Sequence, residues 1–419
     1  MTAANEQAER VVVVGGGVIG AACAHYVRLS GRAVTLIEQG RFGRGCSHGN
    51  CGYVCPSHVL PLAGPGALRS TLKTLLARNS PLKVRWRLDP AMWSWFWRFA
   101  RRCNDADMLA AARGIQGLLV SSRSLYDELL KTTLDDVEWE TQGLLFVFRS
   151  PAAMHHYAET DRLLRGEFGL GATRYDGPAL CELEPAIKPG CAGGWHYATD
   201  GHLRPDKLML AWRRVLHSQG VEIREECELR QVAVDRRLIR GVVTNHGEIP
   251  ADQVIVATGA WTPLLRHVLR CSVPIQPGKG YSLTMRRPAV CPRIPMIFEE
   301  HRVAVTPFQS AYRLGSTMEF AGYDTSLHPD RLRLLRDATA IYLREPEAEP
   351  MLESWYGWRP MTPDGLPFIG RVPGIDNLFL AAGHGMLGVS MSPATGRLVA
   401  ELLSGATPHV DPRPYAVGR

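Results

Sequence analysis

Four glycines and one acid carry the first chemistry in this chain. Residues 11–14 are all valine, a β-branched run suited to a strand buried on both faces. Gly15, Gly16, Gly17, Val18, Ile19 and Gly20 follow, and then a segment of helical character that ends near Ser30 and Gly31. A second apolar run, residues 33–37, closes at Glu38. Strand, G-x-G-x-x-G, helix, strand and acid is the order of a dinucleotide-binding βαβ unit. Gly15 permits the tight turn, Gly17 lets backbone approach a pyrophosphate, and Gly20 lets helix and strand pack closely. The helix N-terminus at Val18 and Ile19 then presents its positive end to the phosphates. Glu38, with Gln39 beside it, is placed to accept from a ribose diol. An acid there disfavours a 2′-phosphate, leaving FAD or NAD.

The elements that must hold such a site need a large chain, and there is one. At 419 residues, with 45% hydrophobic and 21% charged residues, the chain predicts two domains and excludes disorder, collagen and small disulfide scaffolds. Its 48 basic against 41 acidic residues give a net charge of +7, spread along the chain without a nucleic-acid motif, so no nucleic-acid partner is expected. Ten cysteines at irregular spacing, with no secretory leader evident, are expected as reduced thiols. Cys46, Cys51 and Cys55 have the wrong last gap for an iron–sulfur set, and no metal is expected. Residues 11–27 are almost uncharged, but contain several glycines and are too short to span a membrane.

Two later segments separate FAD from NAD. Residues 253–256 read as a buried strand that runs into Ala257, Thr258 and Gly259. Residues 377–382 read as another, opening into Gly383-His384-Gly385-Met386-Leu387-Gly388 and a helix through Leu403 whose start is blurred by Pro393. A glycine loop feeding a helix N-terminus suits an anion such as the N1/O2 edge of a reduced flavin. Three such strands in one chain point to FAD.

VVVVGGGVIG with Glu38, SHGNCGYVCP (47–56), KGYSLT (279–284) and GWRPMTPDGLPFIG through GHGMLG in the last part of the chain resemble the bacterial FAD-dependent D-amino-acid dehydrogenases. These sit within the D-amino-acid oxidase and glycine/sarcosine oxidase superfamily. The resemblance implies an α/β fold: a Rossmann-like FAD-binding domain interleaved with an α+β substrate domain whose antiparallel sheet roofs the flavin. It places residues 8–84, 190–261 and 355–419 in the FAD domain, and 85–189 and 262–354 in the substrate domain. Local patterning supports the alternation, with β-type runs at 143–149, 281–285, 302–307 and 312–316 and helical runs at 109–130 and 329–343.

The resemblance also implies the reaction and its residues. A D-amino acid would be oxidised to an imine by hydride transfer to flavin N5, with the electrons passed to a quinone or another carrier, such as a carrier protein. A D-proline or D-hydroxyproline type of imino acid fits equally well. Alternatives are a sarcosine or glycine type of amine oxidase and an FAD subunit of a hetero-oligomeric dehydrogenase. A carboxylate calls for a bidentate, permanently charged donor, which is Arg rather than Lys. Arg359 of the G-W-R-P motif is that donor by resemblance, with a structural pair to Asp364 as the plainer reading. Tyr281 is a candidate hydroxyl to the substrate, with half-buried packing as its alternative. Tyr53 and His48 lie in the loop near the flavin and the substrate entrance. Ser47, Asn50 and Gly52 of the same loop are expected to touch cofactor, as are Thr258 and Gly259. His384 is expected either beside the flavin N1/O2 edge or in a structural role. Gly383 would offer its carbonyl to the substrate amine, and the N–H groups of Met386, Leu387 and Gly388 would face the ring system with Gly385. Covalent tethering is not expected, because no cysteine follows Cys291. The Trp-rich stretch 86–102 mixes Trp93, Phe96 and Trp97 with Arg98, Arg101 and Arg102, and reads as core or interface packing in preference to membrane contact. A cytoplasmic location is expected, with peripheral contact at the membrane's inner face as the variant. The tail after Thr407 is expected to be extended.

Overall fold

A computed structural model describes residues 8–67, 82–85 and 87–419. Trp86, one end of the Trp-rich stretch, lies outside the described residues. The valine run forms the strand Arg10–Val14, parallel to Ala33–Ile37 on one side and Gln253–Val256 on the other. Glu222–Arg224 and Leu378–Ala382 extend the sheet in parallel, and Phe368–Arg371 closes one edge antiparallel, giving six strands among the described residues. Side chains of a strand alternate between faces. Val11 and Val13 accordingly pack with the helices, while Val12 and Val14 pack beneath the three-stranded sheet of Leu229–Asp235, Leu238–Thr244 and Gly247–Pro250.

The helices Val18–Leu29 and Gly388–Ser404 meet closely, since a Cβ on Gly396 would lie 2.5 Å from the backbone carbon of Ala22. Pro393 sits inside the second helix and cannot donate to the carbonyl of Val389. That carbonyl accepts from the Tyr126 hydroxyl at 2.8 Å and the Ser392 hydroxyl at 3.1 Å, so the helix continues through the proline.

The second large sheet has nine strands among the described residues. Met351–Met361, Gln276–Met285, Tyr312–Phe320, Val303–Pro307, Met296–Phe298, Leu144–Phe148, Gly193–Tyr197 and Thr173–Asp176 follow in order, and Leu82–Val84 pairs to Tyr312–Phe320. Two of these strands lie in stretches the sequence reading gave to the FAD domain, 190–261 and 355–419. Gly193–Tyr197 and most of Met351–Met361 instead satisfy their backbone groups on Leu144–Phe148 and Gln276–Met285. The outer face of the sheet buries Tyr281, Leu283 and Met285 against Leu335, Ala338 and Tyr342 of the helix Pro329–Tyr342.

The Trp-rich stretch forms the helix Pro90–Arg102, and only part of its aromatic set takes up the expected core packing. Trp95 is the buried member, its indole N–H donating to Met361 O at 2.9 Å, with Phe96 and Phe99 packed near Phe320. Trp93 and Trp97 are 39% and 59% exposed beside Arg98, Arg101 and Arg102. The chain's last residues do not trail free. Tyr415 is buried with its hydroxyl on Gly114 O at 2.7 Å, and Arg419 lies over the Phe368 ring and pairs with Asp364 at 3.2 Å.

Candidate active site

The glycine fingerprint is built as its spacing requires. Gly15 has φ +111°, and a Cβ there would lie 2.6 Å from Ala257 O. A Cβ on Gly20 would strike Gly15 O, so strand and helix touch through backbone. A Cβ on Gly17 would meet only the Ser47 hydroxyl at 3.5 Å, which leaves open space at the start of the helix. That helix has no acid in its first turn, and Ser47 Oγ accepts from the Val18 N–H at 3.0 Å. Glu38 accepts from the Gly16 N–H at 2.7 Å and the Gly40 N–H at 2.9 Å. A carboxylate has about four acceptor positions, so capacity remains for a diol. Gln39 is exposed next to it. The open cradle at Gly17, the dipole end and the acid fit the pyrophosphate and ribose of FAD.

The loop after the second strand crosses from this cradle to the nine-stranded sheet. Asn50 Oδ1 accepts from the Gly52 N–H at 2.7 Å, closing a tight turn, and Asn50 O and His48 O both accept from the buried Arg313 at 2.7 and 3.1 Å. The three thiols of this region diverge: Cys46 donates to Trp358 O, Cys51 lies against Gly315, and Cys55 faces His58 and Asp200. The strand Gln253–Val256 runs into Thr258, whose hydroxyl meets Thr262 Oγ1 at 3.0 Å, and into Gly259 at φ +53° with nothing within 4 Å of its Cβ position.

Arg359 projects from the strand Met351–Met361 on the face opposite Tyr281. Its guanidinium lies directly over Gly280, where a Cβ would collide with it, and Nη1 donates to Thr317 O at 2.8 Å. No carboxylate among the described residues pairs with it. Asp364, the plainer partner within its own motif, pairs with Arg419 instead. Burial pushes the Arg359 pKa below its ordinary value and the thiols of Cys51 and Cys46 pull it back, yet a guanidinium stays charged at neutral pH. Buried hydroxyls without partners lie on the strands around it: Ser282 Oγ, opposed to Trp355 on the same face, Thr317 Oγ1 beside the carbonyl that Arg359 holds, and Thr362 Oγ1 just past the strand end. A half-buried cation without a counter-ion, among unpartnered hydroxyls, is the electrostatic signature of an anion site.

Several other candidates stand elsewhere. Tyr281 donates to Glu319 Oε2 at 2.9 Å on the helix-covered face, and burial raises its pKa, so it is held away from Arg359. The Tyr53 hydroxyl lies 3.0 Å from both Met296 O and Val305 O, and burial raises its pKa as well. His48 pairs with Glu353 at 2.9 Å, six residues along the strand from Arg359, and this contact holds the Glu353 carboxyl below its ordinary value. His384 is buried on Thr395 Oγ1 at 3.0 Å, and burial lowers its pKa to about 3, so it carries no charge at neutral pH.

The glycine turn is brought to the arginine strand. The Gly385 N–H donates to Pro360 O at 3.1 Å, and a Cβ on Gly383 would lie 2.7 Å from the methyl of Thr362. The Leu387 N–H donates to His384 O at 2.9 Å and is committed to the turn rather than offered outward. Met386 is 39% exposed, and Gly388 begins the helix.

Trp355 was not singled out from sequence. Its indole covers both Gly357 on its own strand and Gly49 of the cofactor loop. The alternation Trp355, Gly357, Arg359 places the three on one face, a signal legible once the segment is read as a strand.

A family described as FAD dependent oxidoreductase matches residues 10–402. A D-amino acid dehydrogenase of Paramagnetospirillum magneticum is 33% identical over 94% of this chain and 95% of its own length. One of Bradyrhizobium diazoefficiens is 32% identical over 98% of each chain. Among solved structures, a glycine oxidase from Geobacillus kaustophilus superposes with a TM-score of 0.80 at 23% identity, covering 98% of this chain and 99% of its own. An L-proline dehydrogenase from P. horikoshii has a TM-score of 0.74 at 20% identity, covering 98% and 97%. With the fold, the dinucleotide cradle and these matches in agreement, the chain belongs to the FAD-dependent oxidoreductase family and uses FAD.

Proposed function

We propose that this protein is a D-amino-acid dehydrogenase that oxidises the amine of a bound D-amino acid to an imine and passes the electrons to an acceptor other than nicotinamide. The observation that carries the reading is Arg359: a charged guanidinium without a carboxylate partner, facing unpartnered hydroxyls and flanked by the cofactor loop. FAD, when bound, supplies the two-electron oxidant. Arg359 binds the substrate carboxylate and so orients Cα, with Thr317 O fixing the guanidinium plane. His384, held neutral, does not serve as a charged acid there, and among the described residues no carboxylate pairs with Arg359 to serve as a base, so the substrate amine is expected to react in its neutral form. The names of the curated relatives support D-amino acids as the substrate class.

The sequence-predicted contacts at Ser47, Asn50, Gly52, Thr258 and Gly259 are proposed as the cofactor's further neighbours. The exposed face bearing Trp93, Trp97, Arg98, Arg101 and Arg102 supports peripheral contact with an anionic membrane that holds the quinone acceptor. No helix among the described residues is long and apolar enough to cross a membrane.

The test is anaerobic mixing of the purified chain with D-amino acids, D-proline-type imino acids and sarcosine. Bleaching of the flavin spectrum by the first two groups supports the reading, and bleaching by sarcosine alone assigns the runner-up activity. Absence of bleaching with every compound overturns it in favour of a non-catalytic flavin subunit.

A further inference from the structure

Three neighbouring strands carry a glycine where they face the cofactor loop, and a different side chain covers each. Gly280 lies under the Arg359 guanidinium, Gly357 under the Trp355 indole, and Gly315 under the Cys51 thiol, whose Sγ would be 2.5 Å from a Cβ there. Gly280 and Gly357 are directly opposed across the pair of strands, and Ser282 is opposed to both Gly315 and Trp355. Directly opposed residues have Cβ positions about 5 Å apart. The indole edge therefore stands beside the guanidinium, within the span of one small amino acid.

The indole is also fixed. Its far side rests on Gly49 of the loop, so the ring is clamped between two glycines, and any Cβ at either would collide with it. A wall clamped on both faces does not retreat for a larger ligand. The unpartnered Ser282 hydroxyl lies between this wall and Cys51, in a residue that is 1% exposed.

Resting on the D-amino-acid reading above, we infer that Trp355 is the specificity-determining wall of the substrate side-chain subsite, restricting the enzyme to short or ring-closed apolar side chains. An amino acid held by its carboxylate on Arg359 projects its side chain within reach of the indole edge. A short aliphatic chain or a five-membered ring fits beside that edge, and a long or aromatic chain meets it end on.

The experiment measures kcat/KM for D-alanine, D-proline, D-methionine and D-phenylalanine with an artificial acceptor, using wild-type, Trp355→Ala and Trp355→Phe holoenzymes with flavin content checked by absorbance. Wild type is expected to favour the two small substrates. Trp355→Ala is expected to shift the ratio of D-phenylalanine to D-alanine upward by at least about tenfold, the usual worth of a reshaped apolar pocket. Trp355→Phe is expected to restore most of the preference. If Trp355→Ala does not retain flavin, Trp355→Leu is read on the same panel. An unchanged ratio in the flavin-loaded variant, or a wild type that already prefers D-phenylalanine, overturns the inference about Trp355 and leaves the D-amino-acid reading standing. A wild type that oxidises none of the four removes that reading and this inference with it.

Discussion

The two faces of the nine-stranded sheet are built from the same strands and carry opposite electrostatics. On the helix-covered face, Lys279 is fully buried, its ammonium donating to Ser326 O, 3.5 Å from Asp324 and over the rings of Tyr281 and Tyr356. Glu319 on the same face takes Arg85 at 3.0 Å and the Tyr281 hydroxyl at 2.9 Å. Each of these buried charges has a partner. One residue away along the same strands, Arg359 has only a carbonyl, and Ser282, Thr317 and Thr362 have hydroxyls with none. A buried polar group that is satisfied within the fold serves the fold, whereas one left unsatisfied costs free energy unless a ligand completes it. The adjacent residues Gly280 and Tyr281 thus face binding and stability respectively.

The largest effect that would sharpen this contrast is at Arg359. Arg359→Ala is expected to lower kcat/KM by about 100-fold or more, the loss of a charged hydrogen-bonded pair, while the melting temperature changes little because no ion pair is broken. Unchanged kinetics would remove the residue from the site. On the other face, Tyr281→Phe is expected to cost about 1–3 kcal/mol of stability by stripping a donor from buried Glu319, with kcat/KM within about twofold of wild type once flavin-loaded. Chemical denaturation and steady-state kinetics on the same preparation separate the two outcomes.

A smaller effect follows from pH. Asp200 is buried and accepts from the Ser57 N–H and hydroxyl; burial pushes its pKa up to about 7, and those hydrogen bonds, the Cys55 thiol and the charge of Arg123 pull it partly back. Asp324, beside Lys279 and His328, is lowered despite its own desolvation, through the Ser326 N–H and the His328 ring. A raised folded-state pKa contributes stability that is present below the unfolded value of 3.8 and is lost as pH rises to about 7. Asp200→Asn is therefore expected to flatten the fall of the melting temperature between those limits, and an unaltered slope would assign it to other groups. The smallest effect is at Ser282→Ala, which removes an unpartnered hydroxyl and is expected to leave stability within about 0.5 kcal/mol of wild type while raising KM.

Much of this was legible in the residues. The valine run, the spaced glycines and Glu38 specified the cradle because each has a local steric or hydrogen-bonding reason that needs no partner elsewhere in the chain. Arg359 was legible as chemistry, though not its isolation from Asp364, because Arg419 at the far end of the chain takes that carboxylate. Tyr281 read as a site candidate because a sequence shows residue type and not which side of a strand it occupies, while His48 and Tyr53 are taken up by partners distant in the chain, Glu353 and the carbonyls of Met296 and Val305. A shift of one position moves a side chain to the other face of the sheet. His384 sits in the right turn, but burial sets its protonation, and its ring is taken up by Thr395, eleven residues on. Trp355 escaped notice because its role depends on Gly49, hundreds of residues earlier and joined to it only by the fold.

On the proposed function, Arg359, on the loop-facing side of the sheet, is where a substrate carboxylate binds. The most direct measurement is a flavin difference-spectrum titration of the holoenzyme with a simple carboxylate, benzoate, in wild type, Tyr281→Phe and Arg359→Ala. A saturable spectral change in the first two and none in Arg359→Ala is the predicted result. The same saturable change, with the same dissociation constant, in Arg359→Ala would contradict it.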